Sequence, residues 1–412
     1  MNLSGNFKIS FLNNKKNLYL LLFLLSIISR SIVSYFYGDR LLENEWAILV
    51  KNLYNYNTLS MLNFDGLLVP NLWMPPIYAY FVYLHALIFG LDDNLASFVI
   101  FTQIVISSFT TIIFYKIIKK FFLFKTSFYG AIIFSLFPLI VFSACQISSA
   151  SIYLFLLLIF VNLILESSIK DSKITFKHLI LIGFLAGLLI LTRRDFILIY
   201  FFSLFYLFIF FHVNLKKILV ILLVSSLTIS PYIIRNYISF DKFIVHSGFG
   251  YNLWKAYNSN AKVEGYYIQS ENLKLKINKV DKDIFYRINE DKIYLENAQK
   301  YIVDNPEKAI ILFFKRLFSF FFIDLDSSQK NYYNLFHIMP NIIISLFSLL
   351  GLIFFNKKDP KLNYLISTMI IILLVYSLFA LLPRYKIYIL PFQIILTLSF
   401  FEFIIKKLNK NY

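Results

Sequence analysis

A single cysteine, Cys145, occurs among the 412 residues, so no intrachain disulfide can form. Histidine is nearly as scarce, with five in all, and no Cys/His cluster has metal-ligand spacing. No cofactor is therefore expected; a divalent metal would have to be held by carboxylates. Charge is also in short supply, at 15% of residues against about 25% in soluble domains. With 59% hydrophobic residues, the solvent for most of the chain is lipid. No small-residue cleavage site follows the first apolar run, so an uncleaved membrane helix is expected there, not a signal peptide. No internal repeat is visible, which argues against an inverted-repeat transporter. Acidic residues are the rarer sign, 23 against 40 Lys and Arg, a net charge of +17. In a soluble protein that balance would point to nucleic acid. In a membrane protein Lys and Arg collect in cytoplasmic loops instead, so no nucleic-acid partner is expected.

What is present is apolar runs of spanning length, about 20 residues each. Roughly ten occur by that criterion, at about Leu18–Tyr37, Ser97–Ile118, Ser127–Ala144, Ile147–Leu165, Leu179–Thr192, Phe196–Val213, Ile218–Ile238, Phe336–Phe355, Tyr364–Leu382 and Ile387–Ile405. With the N-terminus and Lys8, Lys15 and Lys16 in the cytoplasm, every short loop on that side is basic. Those loops hold Lys119, Lys120 and Lys125; Lys170, Lys173 and Lys177; Lys216 and Lys217; Lys357, Lys358 and Lys361; and Lys406, Lys407 and Lys410. The threading leaves "PIYAYFVYLHALIFG", Pro76 to Gly90, as an interfacial or re-entrant helix opened by Pro75-Pro76. The expected fold is an all-α polytopic membrane protein with about ten transmembrane helices and two long outer loops carrying interfacial helices. The expected organisation is a transmembrane core over 1–238 that includes the first outer loop, 38–95; an outer loop domain over 239–334; and C-terminal transmembrane helices over 335–412. Within the outer domain, Asp283–Val303 has helical patterning, and Lys308, Lys315, Arg316 and Ser319 share one face of an amphipathic surface helix. The 48 Phe and 29 Tyr are read as lipid-facing or core residues of an AT-rich genome.

Some polar residues need a reason. Asp39, Glu43 and Glu45 follow the first span on the outer side. They are either a solvated acidic loop or carry a general base at the membrane surface, where an acceptor from water meets a donor from lipid. Positions 43 and 45 do not share a helix face, so at most one points into a given site. Arg193, Arg194, Arg235 and Arg384 all fall at outer ends of spans, against the inside bias. Snorkelling is the plain reading; an anion site, with phosphate matched by guanidinium geometry, is the functional one. Arg30, inside the first span, either snorkels or faces the bundle interior. Trp46, Trp73, Tyr251 and Trp254 are candidate sugar-stacking rings or interface anchors.

Five stretches then resemble one family: "ENEWAILVKNL" after the first span, "MPPIY", "LTRRDF", "SPYIIRNYISFDKFIVHSGFGYNLWKAYNSNA" leading into the outer domain, and "PRYKIYILPF" near the end. In order and sidedness the chain resembles membrane glycosyltransferases of the C-type fold, the dolichyl-phosphate-mannose-protein mannosyltransferase superfamily, which includes the bacterial transferases that put aminoarabinose on lipid A. The chain departs from the family where Glu43 and Glu45 stand for the usual catalytic Asp, and where Arg194 stands for the Pro that more often follows the first Arg. It is also shorter than the lipid A enzymes, so their large C-terminal domain is expected to be absent.

The resemblance implies an inverting glycosyltransferase of the cell envelope. The donor would be a sugar on a polyprenyl phosphate, undecaprenyl phosphate in a bacterium; the acceptor, a hydroxyl of a glycan, lipid or protein. Glu43 or Glu45 would be the base. Arg384, with Arg193, Arg194 or Arg235, would hold the phosphate, and Tyr251, Asn252, Trp254 and Lys255 would contact substrate. The site would face the periplasm from a multi-pass protein of the inner membrane. Rival readings are a flippase for a lipid-linked sugar, which needs no outer carboxylate, and a surface-polysaccharide polymerase or ligase.

Overall fold

The computed structural model describes residues 14–168, 174–324, 327–329 and 332–410. Lys8, Lys170 and Lys173 lie outside the described residues. The chain folds into seventeen described helices and one two-stranded hairpin. Helices α1 (Lys15–Tyr37), α2 (Asn44–Tyr56), α3 (Pro76–Phe89) and α4 (Leu95–Ile118) come first, with strands β1 (Ser60–Phe64) and β2 (Leu67–Pro70) between α2 and α3. Then come α5 (Phe124–Leu136), α6 (Pro138–Ala144), α7 (Ala150–Glu166), α8 (Phe176–Thr192), α9 (Phe196–Ile209) and α10 (Leu215–Phe240). The segment between α10 and the next membrane helix holds α11 (Phe249–Ala256), α12 (Glu271–Asn278), α13 (Tyr286–Asp304) and α14 (Pro306–Phe321). The chain continues through α15 (Leu335–Phe354), α16 (Pro360–Ser377), a 3-10 turn over Pro383–Tyr388 and α17 (Leu390–Lys410).

The all-α polytopic class holds, and the chain is a multi-pass membrane protein. Among the described residues, length and composition qualify five helices as spans, α1, α4, α10, α15 and α16, or six if the bent α5–α6 pair counts as one. That is fewer than the ten runs read from sequence. Hydropathy windows run through breaks that the backbone makes: α5 and α6 meet at a 50° bend, where Pro138 cannot continue the hydrogen-bond ladder. Helices α7 and α9, at 17 and 14 residues, are shorter than the apolar runs around them, and α8 is also only 17 residues long.

Contacts between loops and helix ends fall into two sets. One end of the bundle joins Asp39 to Ile147, Arg193 to Tyr388 and Arg194 to Ser247. The other joins the Leu123 N–H to Glu402 and the Tyr206 hydroxyl to the Pro360 carbonyl. These are the two sets of loops that the charge threading assigns to opposite sides. Arg30 faces the interior: it is fully buried, with Nε donating to Ser107 Oγ at 2.8 Å and Nη1 to the Ser26 and Ser135 carbonyls at 3.0 Å.

The first outer loop is more ordered than its sequence suggested. The β1–β2 hairpin turns at Asp65 and Gly66, both at positive φ (49° and 96°), the geometry in which Asp-Gly pairs suit a strand's twist. Helix α3 packs Tyr78, Val82 and Ala86 against Val50, Leu95 and Val99 and leaves Leu84, Leu87 and Ile88 exposed. Helix α14 exposes Ile310, Ile311, Phe314 and Phe318, as an interfacial helix would. Its basic face is not all solvated, however. Lys308 and Lys315 are exposed, but Arg316 is fully buried, with Nε donating to the Val263 carbonyl at 3.3 Å and Nη2 to those of Ala256 and Lys262. Arg316 therefore belongs with Ala309 and Phe320 on the buried face of α14, not on the exposed face with Lys308 and Lys315, and the 256–263 segment supplies its carbonyl partners.

Candidate active site

The carboxylate best fixed in the structure is Asp39. Helix α1 stops at Gly38, and the next backbone N–H, that of Asp39, donates to the Cys145 carbonyl at 3.1 Å. Asp39 Oδ2 accepts the Ile147 N–H at 2.7 Å. The 144–147 turn that receives Asp39 is itself anchored. Buried Gln103 donates to the Gln146 carbonyl at 2.9 Å and accepts from the Tyr78 hydroxyl at 2.7 Å. Tyr78 closes the "MPPIY" stretch, so the proline pair that starts α3 also aims the ring that steadies this turn. Burial raises the Asp39 pKa. The Ile147 N–H opposes that rise, the Glu43 charge adds to it, and the Arg384 charge opposes it. Asp39 therefore lies within electrostatic reach of both Glu43 and Arg384.

Glu43 and Glu45 are exposed. Glu43 is the N-cap residue of α2 but makes no side-chain cap bond. Glu45 sits in the first turn of α2, where the helix dipole favours a carboxylate, and its charge reaches the Tyr251 phenol. The two side chains thus serve different neighbourhoods, as their non-facing spacing requires.

The arginines divide into engaged and available. Arg193, the residue that ends α8, pairs with Asp195 at 3.2 Å and donates to the Tyr388 hydroxyl at 3.1 Å. Its guanidinium lies 4.9, 5.0, 5.3 and 5.8 Å from the ring centres of Tyr385, Tyr388, Tyr376 and Tyr153. Arg194 donates to the Ser247 carbonyl at 2.5 Å. Arg235 is a staple, donating to the carbonyls of Asn71 at 2.9 Å and Leu59 at 3.1 Å and to Asn236 Oδ1 at 2.7 Å. Arg384 is exposed, with a guanidinium 5.9 Å from the Tyr385 ring and no hydrogen bond or ion pair among the described residues. Tyr385 is the hub that sequence reading missed. Burial would raise its phenol, but Arg193, Arg384 and Lys255 bring its pKa below the usual value, against a smaller opposing contribution from Asp195.

Lys255 reaches this cluster through a close backbone approach. At Gly265, φ is +81°, and a Cβ would lie 2.6 Å from both the Lys255 carbonyl oxygen and Ala380 Cβ. Glycine lets the 263–266 segment bridge α11 to the residues before the 3-10 turn, with Tyr266 N–H on the Lys255 carbonyl and Leu381 N–H on that of Val263, both at 2.9 Å. The other expected substrate contacts are more engaged. Asn252 Nδ2 donates to the Gly248 carbonyl at 2.7 Å, and the Tyr251 N–H to Asp291 Oδ1 at 2.8 Å. Trp254 is buried against Tyr294 in the core of the α11–α14 segment. Trp73 packs on Tyr251, ring centres 4.8 Å apart, with the Arg287 guanidinium 5.0 Å from its ring centre. It links the two outer loops rather than anchoring to lipid. No group of three His, Cys, Asp or Glu side chains able to hold a metal ion occurs among the described residues.

Comparisons with known proteins bear on family and fold. Residues 74–234 match the family profile of dolichyl-phosphate-mannose-protein mannosyltransferase. A search of curated protein sequences gives no match. The oligosaccharyltransferase of Archaeoglobus fulgidus, tethered to an acceptor peptide containing the NVT sequon, superimposes with a TM-score of 0.57 at 14% identity, over 98% of this chain and 51% of that one. The same archaeal enzyme, AglB, in complex with an inhibitory peptide and a dolichol-phosphate gives 0.53 at 12% identity, over 96% and 51%. The chain spans about half the length of those structures. ArnT from Cupriavidus metallidurans bound to undecaprenyl phosphate is a weaker likeness, at 0.41 and 11% identity over 93% and 77%, too low for its sites to be compared. The likeness to the dolichyl-phosphate-mannose-protein mannosyltransferases thus holds for residues 74–234, on a helical membrane fold similar to that of the archaeal oligosaccharyltransferase.

Proposed function

We propose that the protein is an inverting glycosyltransferase that moves a sugar from a polyprenyl phosphate to an acceptor hydroxyl at the outer face of the membrane. The observation that carries the reading is the fixed position of Asp39, whose Oδ2 accepts the Ile147 N–H, with Arg384 in electrostatic reach. A half-buried, backbone-held carboxylate lies within electrostatic reach of an arginine that has no partner of its own among the described residues. In this scheme Asp39 takes the proton of the acceptor hydroxyl. Its raised pKa makes it a better base than an ordinary carboxylate. Glu43 supports that pKa by its charge, and Glu45 lies toward the Tyr251 side. The acceptor oxygen attacks the anomeric carbon in line, the bond to phosphate oxygen breaks, and configuration inverts.

The leaving phosphate gains charge in the transition state, so fixed cations stabilise it more than the ground state. Arg384, Lys255 and the Tyr385 hydroxyl form that clamp. Arg193, already paired with Asp195, orients Tyr385 and Tyr388, while Arg194 and Arg235 hold the surrounding loops. The carrier chain lies between membrane helices. The basic loops then face the cytoplasm, with both termini, and the site faces the periplasm of an inner membrane. The acceptor is a hydroxyl of a glycan, lipid or protein, each of which can give its proton to Asp39.

The test is incubation of the purified protein in nanodiscs with labelled polyprenyl-phosphate sugars and membrane extract. Transfer of label with release of polyprenyl phosphate is expected. Movement of the lipid across the bilayer with the sugar bond intact would refute the enzyme reading in favour of a flippase.

A further inference from the structure

A second space, unused by this scheme and lined by both apolar and polar side chains, adjoins the 3-10 turn that carries Arg384. It is bounded by the start of α15, the end of α14 and the 3-10 turn, with Asp324, Tyr332, His337, Asn341, Pro383 and Lys386 in its lining. Its volume is about 20 Å³, room for one water-sized group. His337 and Asn341 are only 7% and 3% exposed.

Hydrogen bonding fixes what these residues have left to offer. Asn334 Oδ1 accepts the backbone N–H of His337 and lies 3.2 Å from its Nδ1. Nδ1 therefore carries the proton and Nε2 is left as an acceptor. Asn341 Nδ2 donates to the His337 carbonyl at 2.7 Å, leaving Oδ1 as an acceptor. Neither His337 Nε2 nor Asn341 Oδ1 has a partner among the described residues. The Lys386 ammonium is already engaged by the Phe321 and Phe322 carbonyls and by Ser345 Oγ. The unsatisfied atoms are thus acceptors, and they call for a ligand that brings O–H donors, not an anion. Buried polar atoms without partners are costly enough to need such an explanation.

Position supplies the rest. Tyr332 packs against His337, ring centres 5.8 Å apart, and lies within electrostatic reach of both Arg384 and Asp39. Pro383 in the pocket wall directly precedes Arg384. A sugar on a phosphate held by Arg384 has its ring hydroxyls within a few bonds of that phosphate. We infer that this pocket recognises one hydroxyl of the donor's sugar, which donates to His337 Nε2 or Asn341 Oδ1, and so sets which sugar is transferred. The inference rests on the glycosyltransferase reading.

The experiment measures binding to the full-length protein in nanodiscs of bare short-chain polyprenyl phosphate and of a panel of its mannose, glucose, galactose, N-acetylglucosamine and arabinose conjugates. In the wild type, at least one conjugate should bind more tightly than the bare carrier. His337→Phe and Asn341→Leu should each erase about tenfold of that gain, the size of one hydrogen bond, and leave the bare carrier's affinity unchanged. His337→Gln, which keeps an acceptor, should restore part of it. A gain that survives both apolar variants overturns the inference. So does a wild type for which no conjugate outbinds the bare carrier, or an apolar variant that loses bare-carrier binding as well. Failure of the wild type to bind bare polyprenyl phosphate would sink the carrier reading and the pocket assignment together, whereas failure of the pocket alone leaves carrier binding intact.

Discussion

Asp39→Asn tests the site most directly, because it removes a charge and a proton acceptor while keeping shape. Asparagine Oδ1 can still accept the Ile147 N–H that Asp39 Oδ2 accepts at 2.7 Å, so the turn at 144–147 should stay in place. General bases contribute typically about 10²–10⁴-fold in rate, and turnover should fall by that factor while donor binding holds. The pH behaviour adds an independent sign. Burial raises the Asp39 pKa in the folded protein. A carboxyl raised above its unfolded value favours the protonated form, so its ionisation costs stability as pH climbs from the unfolded pKa through the folded one. Asparagine never ionises and avoids that cost. At neutral pH the variant should therefore melt no lower than the wild type, while the acid limb of the rate profile, which rises as Asp39 deprotonates, disappears. The assays are single-turnover sugar transfer across a pH series and thermal unfolding in detergent. Near-normal turnover, or an acid limb that survives the substitution, would refute the assignment and return the base to Glu43 or Glu45.

Arg384→Ala removes a charged hydrogen bond worth roughly 1.5–3 kcal/mol, so donor affinity should weaken by about 10- to 150-fold. Because the Arg384 charge also holds the Asp39 pKa down, the acid limb should move to higher pH, and Arg384→Lys should recover only part of both effects; an unmoved limb in a folded variant would separate the two residues. Arg316→Ala strands the carbonyls of Ala256, Lys262 and Val263, at a cost of about 1–3 kcal/mol for each one left unsatisfied. A lower melting temperature and a raised KM are expected, since that segment carries Lys255, and unchanged stability would contradict the staple. Finally, Asn260→Cys on a Cys145→Ala background should react with an impermeant thiol reagent on intact cells; labelling only after lysis would invert the topology.

Some of this protein was decided by local composition. Lysine placement in alternate loops and the length of apolar runs depend on transfer between water and lipid, a property of each segment alone. That is why a sidedness could be proposed before folding, and why Arg193, Arg194, Arg235 and Arg384 stood out at expected span ends. The four arginines looked alike in sequence, and only packing separated them: Arg235 and Arg194 are taken by carbonyls, Arg193 by Asp195 and a ring of tyrosines, and Arg384 is left available. The carboxylates show the same division. Asp39, Glu43 and Glu45 are neighbours in sequence, and their spacing could not rank them. What sets Asp39 apart in the proposed scheme is a contact across more than 100 positions, the Ile147 N–H on its carboxylate, and the desolvation that comes with it. Neither periodicity nor charge patterning reports on such pairs. The same holds for the helix count, where the bend at Pro138 breaks a run that hydropathy joins. Transfer free energy sums along the chain and is legible in the sequence; desolvation and hydrogen-bond pairing depend on which distant groups meet, and only the tertiary structure decided those.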